Sequence, residues 1–351
     1  MIKISQKQQE IILILLKKEG MSSSAIYAEL TSGGAQTSLV TIKRSLSKMQ
    51  SQGILKVSGR GRATNYDVSV TGRIFIDINA HEYCSIDPDK RFGMKNFNFE
   101  LFANIPSQIF SDDESKQLYN STQQYLQRTK NISVTIQKKE LERLIIELAW
   151  KSSKIEGNTY TLLDTEKLIV KNEEAVGHDK KETTMIINHK NAFNFIHDNS
   201  DIFKILTHAN LEKLHSILVQ NLSVGIGLRQ KPVGVIGSKY QPLDNLRQIS
   251  EAIEALSATI TKIKSPYAKS LVALLGISYI QPFEDGNKRT ARLMANALLL
   301  AYGLAPLSYR SVDETEYREA TIVFYEINSL MSLKKIFIDQ YDFAAKTYTV
   351  K

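Results

Sequence analysis

The sequence predicts a mainly α-helical protein built from more than one part, and three observations carry that expectation. Beyond residue 100, apolar residues recur at three-to-four spacing in segment after segment. Only two stretches have strand-like composition, "ILKVSGRGRATNYDVSV" and "RQKPVGVIGSKYQPL". Charge is also uneven: residues 1–75 hold seven lysines and four arginines against four acids, which is +7 of a total of +8.

A chain of 351 residues, 42% hydrophobic and 23% charged, has ordinary globular composition and room for two or three domains. A single cysteine, Cys84, excludes an internal disulfide and fits a reducing compartment. The start "MIKISQKQQE" turns polar at once, unlike a secretory leader, and the apolar run at "ALLLAYGLAPL" is too short to span a bilayer. The expectation is a soluble, cytoplasmic chain with no membrane partner.

In the first seventy residues, "SQKQQEIILILLKKEG" predicts an amphipathic helix with Ser5 as N-cap and Gly20 as stop. "SSSAIYAEL" predicts a second helix, and "TSLVTIKRSLSKMQSQG" a third, capped by Thr37 or Ser38 and ended at Gly53. "ILKVS" and "ATNYDVSV" then predict two strands around the tight turn "GRGR". This order resembles a winged helix-turn-helix. Such a module could lay Ser38, Thr41, Lys43, Arg44 and Lys48 of its third helix in the major groove of double-stranded DNA, with Arg60 and Arg62 reaching phosphates or the minor groove. The alternative is a module that only dimerises or contacts protein.

"FIDINAHEYCSIDPDKRFGMKNFNFELFANIP" predicts a connector with some packed aromatics. Helical segments follow at "DDESKQLYNSTQQYLQRTK", "KKELERLIIELAWKSSKI", "TLLDTEKLIV", "TMIINHKNAFNFIHDN" and "THANLEKLHSILVQNL". Between them, Val233, Val235 and Ile236 flank glycines and prolines as a short hairpin would.

The chemical centre is "QPFEDGNKRTAR", Gln281 to Arg292. Pro282 ends the preceding helix, Phe283 is expected as a buried anchor, and a new helix begins near Asn287 or Lys288. Free N–H groups at such a start bind anions, and Arg289 and Arg292, three apart, can reach further phosphate oxygens. Asp285 lies where a hard cation bridging phosphates would take an oxygen ligand. The six histidines show no metal-binding spacing, and His208 and His215 are expected as core or surface residues.

The stretch resembles the signature H-P-F-x-(D/E)-G-N-G-R-x-x-R of the Fic family of AMP transferases. Pro282, Phe283, Asp285, Gly286, Asn287, Arg289 and Arg292 match it. "SSKIEGNT" is similar to the family's inhibitory motif through Ser152, Glu156 and Gly157, and the resemblance extends over about residues 100 to 345.

The resemblance implies ATP as substrate and Mg²⁺ on Asp285. It implies Asn287 at the α-phosphate, the amides of Gly286, Asn287, Lys288 and Arg289 as an anion hole, and Arg292 on the γ-phosphate. Glu156 would draw Arg292 away and hold the enzyme off. The segment with Val233, Val235, Ile236 and Tyr240 would be a flap that docks a protein target, or a second copy of the chain where it modifies itself. A homodimer is compatible with this reading.

Two positions depart from the pattern. Gln281 stands where the family has the histidine that takes the proton of a Ser, Thr or Tyr hydroxyl, and an amide cannot take a proton. Lys288 replaces the second glycine, as in Doc-like relatives that transfer a phosphoryl group instead. Two readings follow: a self-inhibited AMP transferase slowed or altered by Gln281, or a catalytically silent nucleotide-sensing regulator bound to DNA. The expected division is 1–75 for the DNA-binding module, 76–135 for the connector and first helices, and 136–345 for the Fic domain with an inhibitory helix near 140–157.

Overall fold

The computed structural model describes residues 3–350. Among these residues it contains fifteen α-helices, short 3-10 turns and one two-stranded sheet. By its internal packing the chain divides into two compact units. The first comprises residues 1–106, 235–241 and 319–333, and the second comprises 107–234, 242–318 and 334–351.

The first unit opens with α1 (Gln6–Lys17), α2 (Ser23–Ser32) and α3 (Leu39–Ser51), each begun by a serine. Ser22 and Ser38 accept the N–H of Ala25 and Thr41, meeting donors that the first helical turn leaves free. At Ser5 the partner is Gln8, whose side-chain oxygen accepts the Ser5 N–H at 2.9 Å. Ile11, Leu15, Ile26, Ile42, Leu46 and Met49 face inward into one apolar core.

Strands β1 (Leu55–Ser58) and β2 (Asn65–Val68) pair antiparallel, with Leu55 opposite Val68 and Ser58 opposite Asn65. The turn between them requires glycine at 59. Its φ is +74°, and a Cβ there would lie 2.0 Å from the Ala63 carbonyl oxygen. Helices α4 (Val70–Phe75) and α5 (Ala80–Cys84) follow. The connector read from the sequence packs in this unit, with Phe97 and Phe102 buried.

Helices α6 (Asp112–Thr129), α7 (Val134–Ile155), α8 (Leu162–Lys171), α9 (Lys180–Asp198), α10 (His208–Leu218), α11 (Leu246–Lys262), α12 (Pro266–Ile280) and α13 (Asn287–Ala301) make up most of the second unit. Helices α14 (Glu314–Ile327) and α15 (Met331–Thr347) close the chain. The centre of this unit is α12, buried at every position from Ala268 to Ile280. Gly276 lets α11 approach it, since a Cβ would meet Leu256 at 2.4 Å. Ser270 Oγ donates to the Ala295 carbonyl at 2.9 Å and ties α12 to α13.

The expected hairpin at 233–240 does not form. Among the described residues the only strand pair is β1–β2, and the segment is a turn with Gly237 at φ +77°. Its backbone donors go elsewhere: Ser238 N–H to Val235 O, Lys239 N–H to Glu326, and Gln241 N–H to Lys95 O. With Pro232 and Pro242 at either end, two donors of a ladder are missing as well. Ile236 is exposed, but Tyr240 is buried against Tyr325, ring centroids 5.5 Å apart, and anchors the turn.

Candidate functional site

The site is built where α12 stops and α13 starts. Gln281 takes the left-handed conformation, φ 52° and ψ 58°, and its N–H closes α12 on Ile277 O at 3.1 Å. Pro282 prevents a further turn. Phe283 is fully buried, stacked face to face on His215 of α10 with ring centroids 3.7 Å apart. His215 Nε2 lies 3.0 Å from the Asp285 carbonyl, so this nitrogen is the protonated donor. Burial and nearby Arg289 push its pKa down to about 4, against a smaller opposing effect of Asp285, and the ring is neutral at pH 7.

Arg229 clamps the same turn. Its N–H donates to Pro282 O at 3.0 Å and its Nε to Gln281 O at 2.6 Å, while its other nitrogens hold Lys231 O and Leu243 O. The sequence singles out neither His215 nor Arg229 as part of the site. Both act on a turn remote from them in the chain, and no local pattern marks them.

Asn287 closes the loop on itself. Its Oδ1 accepts Phe283 N–H and its Nδ2 donates to Phe283 O, both at 2.8 Å. The side chain is therefore occupied by the turn, and what Asn287 can offer an anion is its backbone N–H. Gly286 is the N-cap of α13 at φ +79°, a conformation that suits glycine. The first bond of α13 runs from Thr290 N–H to Gly286 O, which leaves the N–H groups of Asn287, Lys288 and Arg289 without an acceptor inside the helix. These three amides and the helix dipole favour negative charge at this end.

Arg289 is buried and reaches back to Asp285, Nη2 to Oδ2 at 3.1 Å, whereas Asp285 itself is 66% exposed. Arg292 is sealed from solvent. Its Nε donates to Ser152 Oγ and its Nη2 to both Ser152 O and Glu156 Oε1, all at 2.8 Å. Nη1 of each arginine has no hydrogen-bond partner among the described residues, so the pair keeps buried donors that an anion would satisfy.

Glu156 terminates α7, and Gly157 after it turns the chain at φ +100°. Burial pushes the Glu156 carboxyl up, but Arg292, Lys288 and Arg289 outweigh it and hold the group below its ordinary value. The end of α7 is fixed from α14: Arg318 Nε donates to Ile155 O at 2.7 Å, and Glu314 pairs with Lys151 and Lys154.

Gln281 Nε2 donates to Ser278 O at 2.6 Å, and the residue is 7% exposed. The Glu284 carboxylate accepts the Gly225 N–H at 3.4 Å. Beside the helix start, Asp285 is an exposed carboxylate that a metal ion could use. Among the described residues no group of three His, Cys, Asp or Glu side chains could hold an ion. One exposed carboxylate beside an anion nest fits a magnesium ion carried mainly by phosphate oxygens.

In the first unit Ser38, Thr41, Lys43, Arg44 and Lys48 are exposed on α3 and its cap, and Arg60 and Arg62 are exposed at the hairpin turn. No helix among the described residues is long and apolar enough to cross a membrane.

Residues 205–299 match the sequence model of the Fic/DOC family. "Protein adenylyltransferase Fic" of Nematostella vectensis is 25% identical over 188 residues, 52% of this chain and 44% of that protein. "Protein adenylyltransferase fic-1" of Caenorhabditis elegans is 24% identical over 174 residues, 46% of this chain and 33% of that one. The chain thus spans less than half the length of these curated relatives. Among solved structures, a Fic-domain signaling protein from Bacteroides thetaiotaomicron superposes with TM-score 0.53 at 21% identity over 68% of this chain and 98% of its own. Fic-1 of C. elegans gives TM-score 0.55 at 16% identity, over 67% and 71% of the two chains. Residues 205–299, which enclose the turn, the amide-rich helix start and both buried arginines, are thus the part of the chain that matches the Fic/DOC family.

Proposed function

We propose that this chain is a self-inhibited Fic-type protein AMP transferase with ATP as its nucleotide substrate. The observation that carries the reading is the Arg292–Glu156 pair, 2.8 Å apart at the head of α13 beside three free amides. An arginine so placed can offer its Nη2 to a terminal phosphate only after the carboxylate lets it go. In the transfer, a Ser, Thr or Tyr hydroxyl oxygen attacks the α-phosphorus, the bond to the β-phosphate oxygen breaks and pyrophosphate leaves. The amides of Gly286 to Arg289 stabilise the charge that grows on the α-phosphate. Asp285 would hold Mg²⁺, whose chemistry is to neutralise and bridge phosphate oxygens.

Gln281 governs the rate. Its amide orients a hydroxyl by hydrogen bonding but does not take the proton, which passes to water, and the missing general base costs about 10²–10⁴ in rate. The exposed turn with Val233, Val235 and Ile236 is the docking edge for a protein target or a second copy of the chain. The test is incubation with α-labelled ATP and Mg²⁺, comparing the chain with Glu156→Gly, Gln281→His and both together. If no protein is labelled in any of them, AMP transfer is the wrong reaction.

A second reading has its own observation. The seven exposed polar and cationic residues of α3 and the hairpin turn favour a winged-helix module, residues 1–75, that binds double-stranded DNA. Residues 136–345 would then sense nucleotide and set DNA affinity without catalysis, with 76–135 between them. Affinity for duplex DNA at fixed salt, with and without ATP, separates this from a module that only dimerises.

A further inference from the structure

Glu156 has two oxygens, and each faces a different cation. Oε1 is held by Arg292 at 2.8 Å, while Oε2 lies 3.6 Å from Lys288 Nζ. The two cations differ in freedom. Arg292 is fully buried and pinned twice to Ser152, whereas the Lys288 side chain is 32% exposed and sits on the first turn of α13. Its flexible four-carbon stem can carry the ammonium from one acceptor to another without moving the backbone. Its own N–H is one of the three amides at the helix start.

We propose that Lys288 is the second cation of the Glu156 latch, holding Oε2 in the nucleotide-free chain and turning to a phosphate oxygen once Glu156 withdraws. The inference rests on the nucleotide reading above and adds a positioning role for this side chain. Lys288 thereby stabilises both ends of the switch. Removing its charge weakens nucleotide binding, because a phosphate oxygen loses its partner, and strengthens it through the loosened latch. Only the second effect requires Glu156.

The experiment is ATP–Mg²⁺ titration calorimetry on the full chain and on Lys288→Met, Glu156→Gly and the double variant. The fall in affinity on Lys288→Met is expected to be about two- to fivefold smaller in the chain that keeps Glu156, the range of a partly exposed ion pair. An equal fall in both backgrounds, or a larger one with Glu156 present, overturns the inference while leaving the nucleotide reading intact. If Glu156→Gly takes up no ATP, the nucleotide reading fails. Amide hydrogen exchange of residues 152–158 in the nucleotide-free protein then judges the latch alone. Lys288→Met is expected to speed that exchange several-fold with Glu156 present and to leave it unchanged in Glu156→Gly. Unaltered exchange in the Glu156 chain overturns the latch.

Discussion

Glu156 and Arg292, 136 positions apart in the chain, meet at 2.8 Å with the guanidinium fully buried and the carboxylate side chain still 20% exposed. The asymmetry sets what each substitution does. Glu156→Gly leaves a buried cation held by Ser152 and the Tyr317 ring but without a counter-charge, so the protein should lose about 1–3 kcal/mol of stability. ATP binding should strengthen roughly tenfold, and ATP should restore most of that stability through linkage. Thermal unfolding with and without ATP, beside calorimetry, checks both halves. A variant that is destabilised yet gains no affinity would mean the pair is structural only.

Gln281→His should return a proton acceptor to the loop. The carbonyl of Ser278, which now takes the Gln281 amide N–H at 2.6 Å, is available to fix a ring N–H. In a Glu156→Gly background the labelling rate should rise about 10²–10⁴-fold, with nucleotide affinity nearly unchanged because on this reading other residues would hold the phosphates. The pH–rate profile should acquire an ionisation in the histidine range that the glutamine protein lacks. A rate increase without that new ionisation would point to altered binding instead.

Much of this architecture is legible in the sequence because its causes are local. Serines before helices, Pro282 after α12 and Gly59 in the hairpin turn act within a few residues of themselves. The Glu156–Arg292 pairing is not local; motif resemblance is what makes it expected. His215 stacking on Phe283 and Arg229 clamping the turn depend on how α10 and the 229–243 segment pack, and no periodicity encodes that. The mistaken hairpin has a physical reason as well: valines beside glycines favour extended backbone, but a ladder needs partners. Here Lys95 and Glu326 take the donors. Tyr240 is buried for the same reason.

Two buried histidines should make the fold acid-sensitive. Burial, aided by Arg292 and Arg289, holds His189 well below its ordinary value, and both of its ring nitrogens lack partners among the described residues. His215 is held at about 4. The unfolded chain binds protons below pH 6.5 that the folded chain refuses, so this stability is complete above that pH and is lost as pH falls toward 4. His215→Phe keeps the stack on Phe283 and removes the titration. Between pH 7 and 4.5 it should lose about 2–3 kcal/mol less than the parent in urea unfolding. An identical loss in the two proteins would show that His215 is already charged or already exposed.

If α3 lies in a DNA groove, some of Lys43, Arg44 and Lys48 must pair with phosphates, since all three are exposed along that helix. Replacing each with Ala should weaken binding to every duplex tested. It should also lower the slope of log affinity against log salt by about 0.9 for each phosphate no longer neutralised. Arg60→Ala and Arg62→Ala should act in the same way at the hairpin turn. A slope unchanged by all five substitutions would turn the surface into a face for protein partners.

Asn287 is the residue whose loss should damage the site most through the fold itself. Its amide bonds both the N–H and the C=O of Phe283 at 2.8 Å, and the turn is buried. Asn287→Ala strands two backbone groups away from water, at an expected cost of about 2–4 kcal/mol. Asn287→Asp keeps an acceptor for the N–H but places a carboxylate against the Phe283 carbonyl and against any incoming phosphate. It should therefore be more stable than the alanine variant and yet bind nucleotide more weakly. Denaturation fixes the first order and calorimetry the second. The same order in both measurements would mean that Asn287 acts only as a brace, and the opposite orders expected here separate the brace from the charge at the anion nest.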